Sequence, residues 1–167
     1  KVFEITLDGE IIGEPFETED WVWSTPVLYE DMLYVTDLSG FVYALDTSGD
    51  TMELVWRVQP SDDGIRPSPI VTEDMVIVAD RDGRIHWLSR DDGQPGQIEG
   101  ENGREPLVRD VDAEVLSNML LLEWDDDAEN EDGDQRSDLL LVSTVNDSRV
   151  LVAFTLEDGA RRWDYGR

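Results

Sequence analysis

The chain has 167 residues, of which 40% are hydrophobic and six are Trp, enough apolar material for a folded core and too much for a disordered acidic tail. Forty acidic residues stand against thirteen basic ones, a net charge of -27, and Lys1 is the single Lys; Arg so thinly spread cannot assemble the basic patch that nucleic acid or an anionic membrane requires. The absence of Cys removes disulfides, thiolate metal sites and Cys nucleophiles, and no run approaches the roughly 20 apolar residues of a spanning helix.

A repeat decides the architecture before any local reading does. Thr25-Pro26-Val27-Leu28, followed by Glu30-Asp31-Met32-Leu33-Tyr34-Val35, recurs 43 residues later as Ser68-Pro69-Ile70-Val71 followed by Glu73-Asp74-Met75-Val76-Ile77-Val78. The match runs on through Asp37-Leu38-Ser39-Gly40 and Asp80-Arg81-Asp82-Gly83.

In chain order, Val2-Phe3-Glu4-Ile5-Thr6-Leu7-Asp8-Gly9 repeats the pattern of residues 42–49, so residues 1–20 are expected to supply the last two strands of a preceding unit. Residues 21–60 make the first whole unit, with strands predicted at 25–29, 32–37, 41–46 and 53–58. Residues 61–103 make the second. Residues 104–167 make the third: Asn146-Asp147-Ser148-Arg149 stands at the same turn, and Val150-Leu151-Val152-Ala153-Phe154 matches Phe41-Val42-Tyr43-Ala44-Leu45. Its offset from the second unit is 66 instead of 43, and the lengthening is assigned to an acidic insertion at 123–138.

Each unit consists of short runs of Val, Ile, Leu, Tyr and Trp separated by Asp, Ser and Gly, which is the signal for antiparallel strands; no stretch carries a helical stripe. The middle two strands are apolar on both faces, so sheet must stack on sheet. The expectation is an all-β chain of four-stranded antiparallel β-propeller blades, about three and a half of them, forming part of a larger ring. A β-sandwich of duplicated meanders is the rival, and the constant 43-residue spacing argues against it.

The pattern (Ser/Thr)-Pro-(Val/Ile), a short strand, Asp-x-x-Gly, Val-Tyr-Ala-Leu-Asp, a Gly and a strand ending in Trp resembles the pyrrolo-quinoline-quinone-type propeller repeat. Ala153, Gly159 and Trp163 carry the spacing of that family's tryptophan-docking motif, and Trp56 after Gly49 is a looser version. The second unit departs most, with Trp87 where Ala is usual and no docking Trp after Gly93. The resemblance specifies architecture and leaves activity open, because the family holds quinone-dependent dehydrogenases and non-catalytic scaffolds alike.

In the acidic insertion, oxygen-bearing side chains at Asn130, Asp132, Asp134 and Asp138 stand at relative positions 1, 3, 5 and 9, just before an apolar strand. This resembles the calcium loop of FG-GAP propeller repeats, in which alternating turn positions aim several hard oxygens at one cation. Asn130 in place of the usual Asp, and Gln135 in place of a Gly, depart from that pattern. A structural Ca²⁺ site and a plain solvated loop are the two readings of this segment.

Chemistry beyond this is sparse. His86, the single His, takes the place of Tyr43 on a central strand and reads as a packed residue, with no Ser nucleophile motif beside it. The family's dehydrogenases, as the resemblance implies, hold their quinone between stacked aromatics and a vicinal disulfide. Trp21, Trp23 and Trp87 offer aromatic faces, yet the chain has no Cys, and no quinone cofactor is expected. The favoured function is a non-catalytic scaffold that binds other proteins in an extracytoplasmic cell-envelope or surface complex, anchored, if at all, through sequence outside this chain. A quinoprotein dehydrogenase segment and a calcium-stabilised FG-GAP-like adhesion propeller are the alternatives.

Overall fold

The computed structural model describes residues 1–100, 103–124 and 137–166. The chain opens with a hairpin of β1 (Val2–Ile5) and β2 (Ile11–Phe16). The first four-stranded sheet follows in simple meander order: β3 (Val27–Tyr29), β4 (Met32–Thr36), β5 (Val42–Asp46) and β6 (Glu53–Val58). These strands coincide with the runs predicted from the repeat.

The second sheet starts as β7 (Ile70–Val71), β8 (Met75–Ala79) and β9 (Arg84–Ser89). The chain then leaves it for a separate hairpin, β10 (Gln97–Gly100) and β11 (Gly103–Pro106), and returns as the outer strand β12 (Val108–Asp110). The third sheet is β13 (Leu120–Leu122), β14 (Leu139–Ser143), β15 (Leu151–Thr155) and β16 (Arg161–Tyr165), again a meander. All pairings between neighbouring strands are antiparallel.

The outer strand of the second unit thus lies beyond residue 103, the boundary expected from the sequence. The reason is visible at the neck of the extra hairpin. Gly96 N–H donates to the Trp87 carbonyl (2.8 Å), Leu107 N–H to that of Gly96 (2.6 Å) and Trp87 N–H to that of Leu107 (3.2 Å). These bonds clamp the two ends together so that β10 and β11 pair with each other without breaking the sheet. The extra length of the third repeat is therefore divided between this hairpin and the segment joining β13 to β14.

The sheets stack face to face, and three apolar clusters fill the gaps between them. Val35, Tyr43 and Leu45 pack with Val2 and Phe16 of the hairpin; Val42, Ala44 and Trp56 pack with Val76, Val78 and Leu88; Ile85 and Trp87 pack with Leu140, Val152 and Phe154. Alternate residues of one strand serve opposite gaps, which is why β5, β9 and β15 are buried along almost their whole length. Burial of each such side chain contributes about 1.5–3 kcal/mol.

The Asp-x-x-Gly turns are fixed by close approach. Gly40 has φ +81°, and a Cβ there would stand 2.0 Å from the Ser61 carbonyl oxygen; Gly83 has φ +98°, with the Ala113 carbonyl oxygen at 2.3 Å. Both turns are roofed by the strand-free segment that leads into the following blade. A side chain would have to push backbone aside at either position.

Candidate functional site

The turn carboxylates are the most organised polar groups. Asp37 accepts from the N–H groups of Ser39 and Phe41 (both 3.0 Å), from the Tyr43 hydroxyl (2.7 Å) and from the Asp20 N–H (3.2 Å). In the next blade Asp80 accepts from the Arg84 N–H (2.8 Å), and its Oδ2 lies 3.1 Å from Nε2 of His86. His86 therefore does what Tyr43 does one repeat earlier: it satisfies a buried carboxylate. Burial, with the Asp37 carboxylate beside its hydroxyl, raises the Tyr43 phenol far above its ordinary range. For Asp80 burial alone would raise the carboxyl, but hydrogen bonds from His86, Ser61 and the Arg84 N–H outweigh it and hold the group below the usual carboxylate range.

Tryptophan docking links the blades. The Trp56 indole N–H donates to the Arg90 carbonyl (2.9 Å), and its ring covers Gly93, where a Cβ would lie 2.8 Å from the indole. One blade on, the Trp87 N–H donates to the Leu156 carbonyl (2.9 Å) and its ring covers Gly159. Arg90 and Leu156 are equivalent positions, as are Gly93 and Gly159.

The second blade thus has its docking Trp after all, on β9 instead of on the outer strand. In the first blade Ala44 is paired with Trp56 across the sheet and in the third Ala153 with Trp163; in the second the large residue has moved to the Ala position. The clue in the sequence was Trp87 at the place of Ala44 and Ala153. Trp87 itself is fully buried and packs in the apolar cluster between the second and third sheets.

Of the four residues singled out for calcium, Asn130, Asp132 and Asp134 lie outside the described residues. Asp138 is described, and it ties the two ends of the insertion together: its Oδ1 accepts from the Trp124 N–H (2.9 Å) and its carbonyl from the Leu156 N–H (2.9 Å). Among the described residues no group of three or more metal-ligating side chains converges. A cleft of about 320 Å³ is lined by Pro60, His86, Pro95 and Leu107 among others, and its imidazole is the one already bonded to Asp80.

One rim of the sheets carries a different set of residues. The Leu38 N–H donates to the Trp21 carbonyl, Arg81 to Gly64 and Val145 to Glu114 (3.0, 3.0 and 3.3 Å), so the segment entering each blade is held on the same rim by the same bond. Along the inner strands Thr25 N–H donates to Ser68 Oγ (3.1 Å) and Ser68 N–H to Asn118 Oδ1 (2.8 Å), which fixes neighbouring entry segments to one another. On this rim Trp21 is 75% and Trp23 63% exposed. The Arg66 guanidinium lies over the Trp23 ring at 5.5 Å, and its Nε is buried without a partner among the described residues. Trp23 and Arg66 stand 43 residues apart, at equivalent places in adjacent blades. Arg66 was not legible as a site residue from sequence.

A family model described as "Outer membrane protein assembly factor BamB" matches residues 6–166. The chain belongs to this family of pyrrolo-quinoline-quinone-type propeller repeats. Among solved structures it is similar to BamB from Moraxella catarrhalis, with 16% identity and a TM-score of 0.55, covering 86% of this chain and 35% of that one. It is similar also to a europium-containing methanol dehydrogenase (19% identity, TM-score 0.60, 91% and 26% covered). A third is the quinohemoprotein alcohol dehydrogenase of Comamonas testosteroni (16%, 0.59, 87% and 21%). The chain thus spans about a third or less of the length of these relatives. No curated protein matches it significantly. The fold is a β-propeller segment, and these low identities speak to fold alone.

Proposed function

We propose that the chain is a non-catalytic propeller scaffold whose aromatic rim binds another protein within an extracytoplasmic cell-envelope complex. The observation that carries this reading is the pair of exposed indoles, Trp21 and Trp23, held on a rigid rim beside an Arg66 whose Nε lacks an acceptor among the described residues. Trp and Arg are the residues that dominate binding energy at protein interfaces, because they bury large area at small entropic cost. Membership of the BamB family supports a protein partner. No helix among the described residues is long and apolar enough to cross a membrane.

The fold resemblance to two dehydrogenases sustains the enzymatic alternative. One experiment separates them. In the host cell envelope, site-specific cross-linking from position 23 should capture a discrete partner, and Trp23→Ala with Arg66→Ala should weaken the purified complex by at least about tenfold. Turnover of an alcohol or sugar by the quinone-loaded protein, with no partner captured, would overturn the scaffold reading. The insertion at 123–138 we propose to be a structural calcium loop.

A further inference from the structure

We propose that the cleft between the first and second blades binds a small uncharged phenol, whose ring takes the space that aromatic side chains fill at the preceding junction and whose hydroxyl donates to His86.

Where the N-terminal hairpin meets the first blade, three rings pack together. Phe16 meets Tyr43 edge-on at 5.4 Å, and Phe41 stacks on Tyr43 at 5.9 Å. One repeat on, Arg84 stands at the place of Phe41 and His86 at that of Tyr43, each 43 residues later. Val58, which pairs with Val42 as Phe16 does with Val2, replaces Phe16. Of the three rings only an imidazole remains. The cleft of about 320 Å³ opens at this junction, with Arg84, His86 and Leu88 among its walls.

The facing walls carry prolines. Pro60 comes from the end of the first blade, and Pro95 and Pro106 from the neck of the hairpin β10–β11, which has no counterpart in the first sheet. All the lining residues lie between 60 and 108, in two blades that each have their four strands. None belongs to the inner strands β3 and β7, so the cleft lies on the side of the outer strand β12, to which Val108 contributes. An apolar cavity of about 150 Å³ already admits benzene, and ligand pockets begin at about 300 Å³. The cleft therefore has room for one ring or two fused rings and not for a large cofactor.

His86 sets the polarity of the ligand. The residue is only 6% exposed, and its Nε2 lies 3.1 Å from Oδ2 of Asp80. Asp80 is held below the usual carboxylate range by its hydrogen bonds, so it is an acceptor at neutral pH and takes the Nε2 proton. With the proton there, the neutral ring presents a lone pair at Nδ1, and Nδ1 has no partner among the described residues. A phenol O–H is the donor this atom lacks, which a plain hydrocarbon cannot supply.

Charge excludes the acidic relatives of such a ligand. The Arg84 guanidinium beside the cleft already faces Asp82 (3.0 Å) and Asp63 (3.9 Å). An aromatic carboxylate would meet no free cation there, within a protein of net charge -27.

The probe is p-cresol, followed by ligand-observed NMR titration of the protein. Binding should saturate at one site. Toluene, which lacks only the hydroxyl, and p-hydroxybenzoate, which carries a carboxylate in place of the methyl, should each bind at least about tenfold more weakly. His86→Tyr and Arg84→Phe install, one at a time, the residues of the preceding junction. Each should weaken p-cresol binding by at least about tenfold with unchanged circular dichroism, since Tyr43 already satisfies Asp37 as His86 does Asp80. Absence of saturable p-cresol binding overturns the proposal. So does toluene binding as tightly as p-cresol, or p-cresol binding that survives both substitutions. The comparison with toluene is made on the unaltered protein, so it decides even where a variant fails to fold. None of these outcomes bears on the rim at Trp23, so the scaffold reading is tested independently.

Discussion

Trp87 shows how much one residue can carry in this fold. Its ring fills the gap between the second and third sheets, meets Phe154 edge-on at 6.3 Å and donates its single N–H to Leu156. Trp87→Ala should cost about 3–5 kcal/mol, cavity included, whereas Trp163→Ala, already half exposed, should leave the stability of a single chain nearly unchanged; urea unfolding of dilute protein compares them. Asp80 makes a pH prediction of definite sign. Its folded value lies below the ordinary carboxylate value, so it adds stability above the unfolded value of about 3.9. That contribution is lost as pH falls through the depressed folded value. Asp80→Asn should therefore lower stability by about 1–3 kcal/mol at neutral pH, since His86 and the Arg84 N–H lose a charged acceptor, and flatten the acid limb of stability against pH, measured by urea unfolding across the acid range.

Among the elements, the meanders follow from composition, because their apolar runs and Asp-x-x-Gly turns leave little choice of strand or hairpin. Two elements do not follow. The hairpin β10–β11 was hidden, since its sequence, Gln97-Ile98-Glu99-Gly100, is weakly apolar and the clamp of Trp87, Gly96 and Leu107 is a set of backbone bonds. The outer strand β12 is short and polar, Val108-Arg109-Asp110, and is held by Arg109, whose guanidinium reaches the Gly159 and Asp158 carbonyls of the next blade (both 2.8 Å). The acidic insertion is read from sequence alone, as a calcium loop or as a solvated one. If Asn130, Asp132, Asp134 and Asp138 share a cation, calcium titration should raise the thermal midpoint by several degrees, and Asp132→Ala or Asp134→Ala should abolish the rise; an unresponsive wild type rejects the loop.

For the molecule as a whole, the 43-residue period pointed to a row of propeller blades and against a sandwich, because repeated units with two apolar faces bury them most directly against one another. The tertiary structure decided what the period cannot encode. It showed that a docking Trp had moved from the outer strand to β9, since an indole reaching the same carbonyl from the neighbouring strand fills the same space. It brought Trp23 and Arg66, unremarkable apart, into a stacked pair on one rim. Sequence periodicity records which surfaces of a blade must be covered; which of them are covered depends on the arrangement of every blade in space.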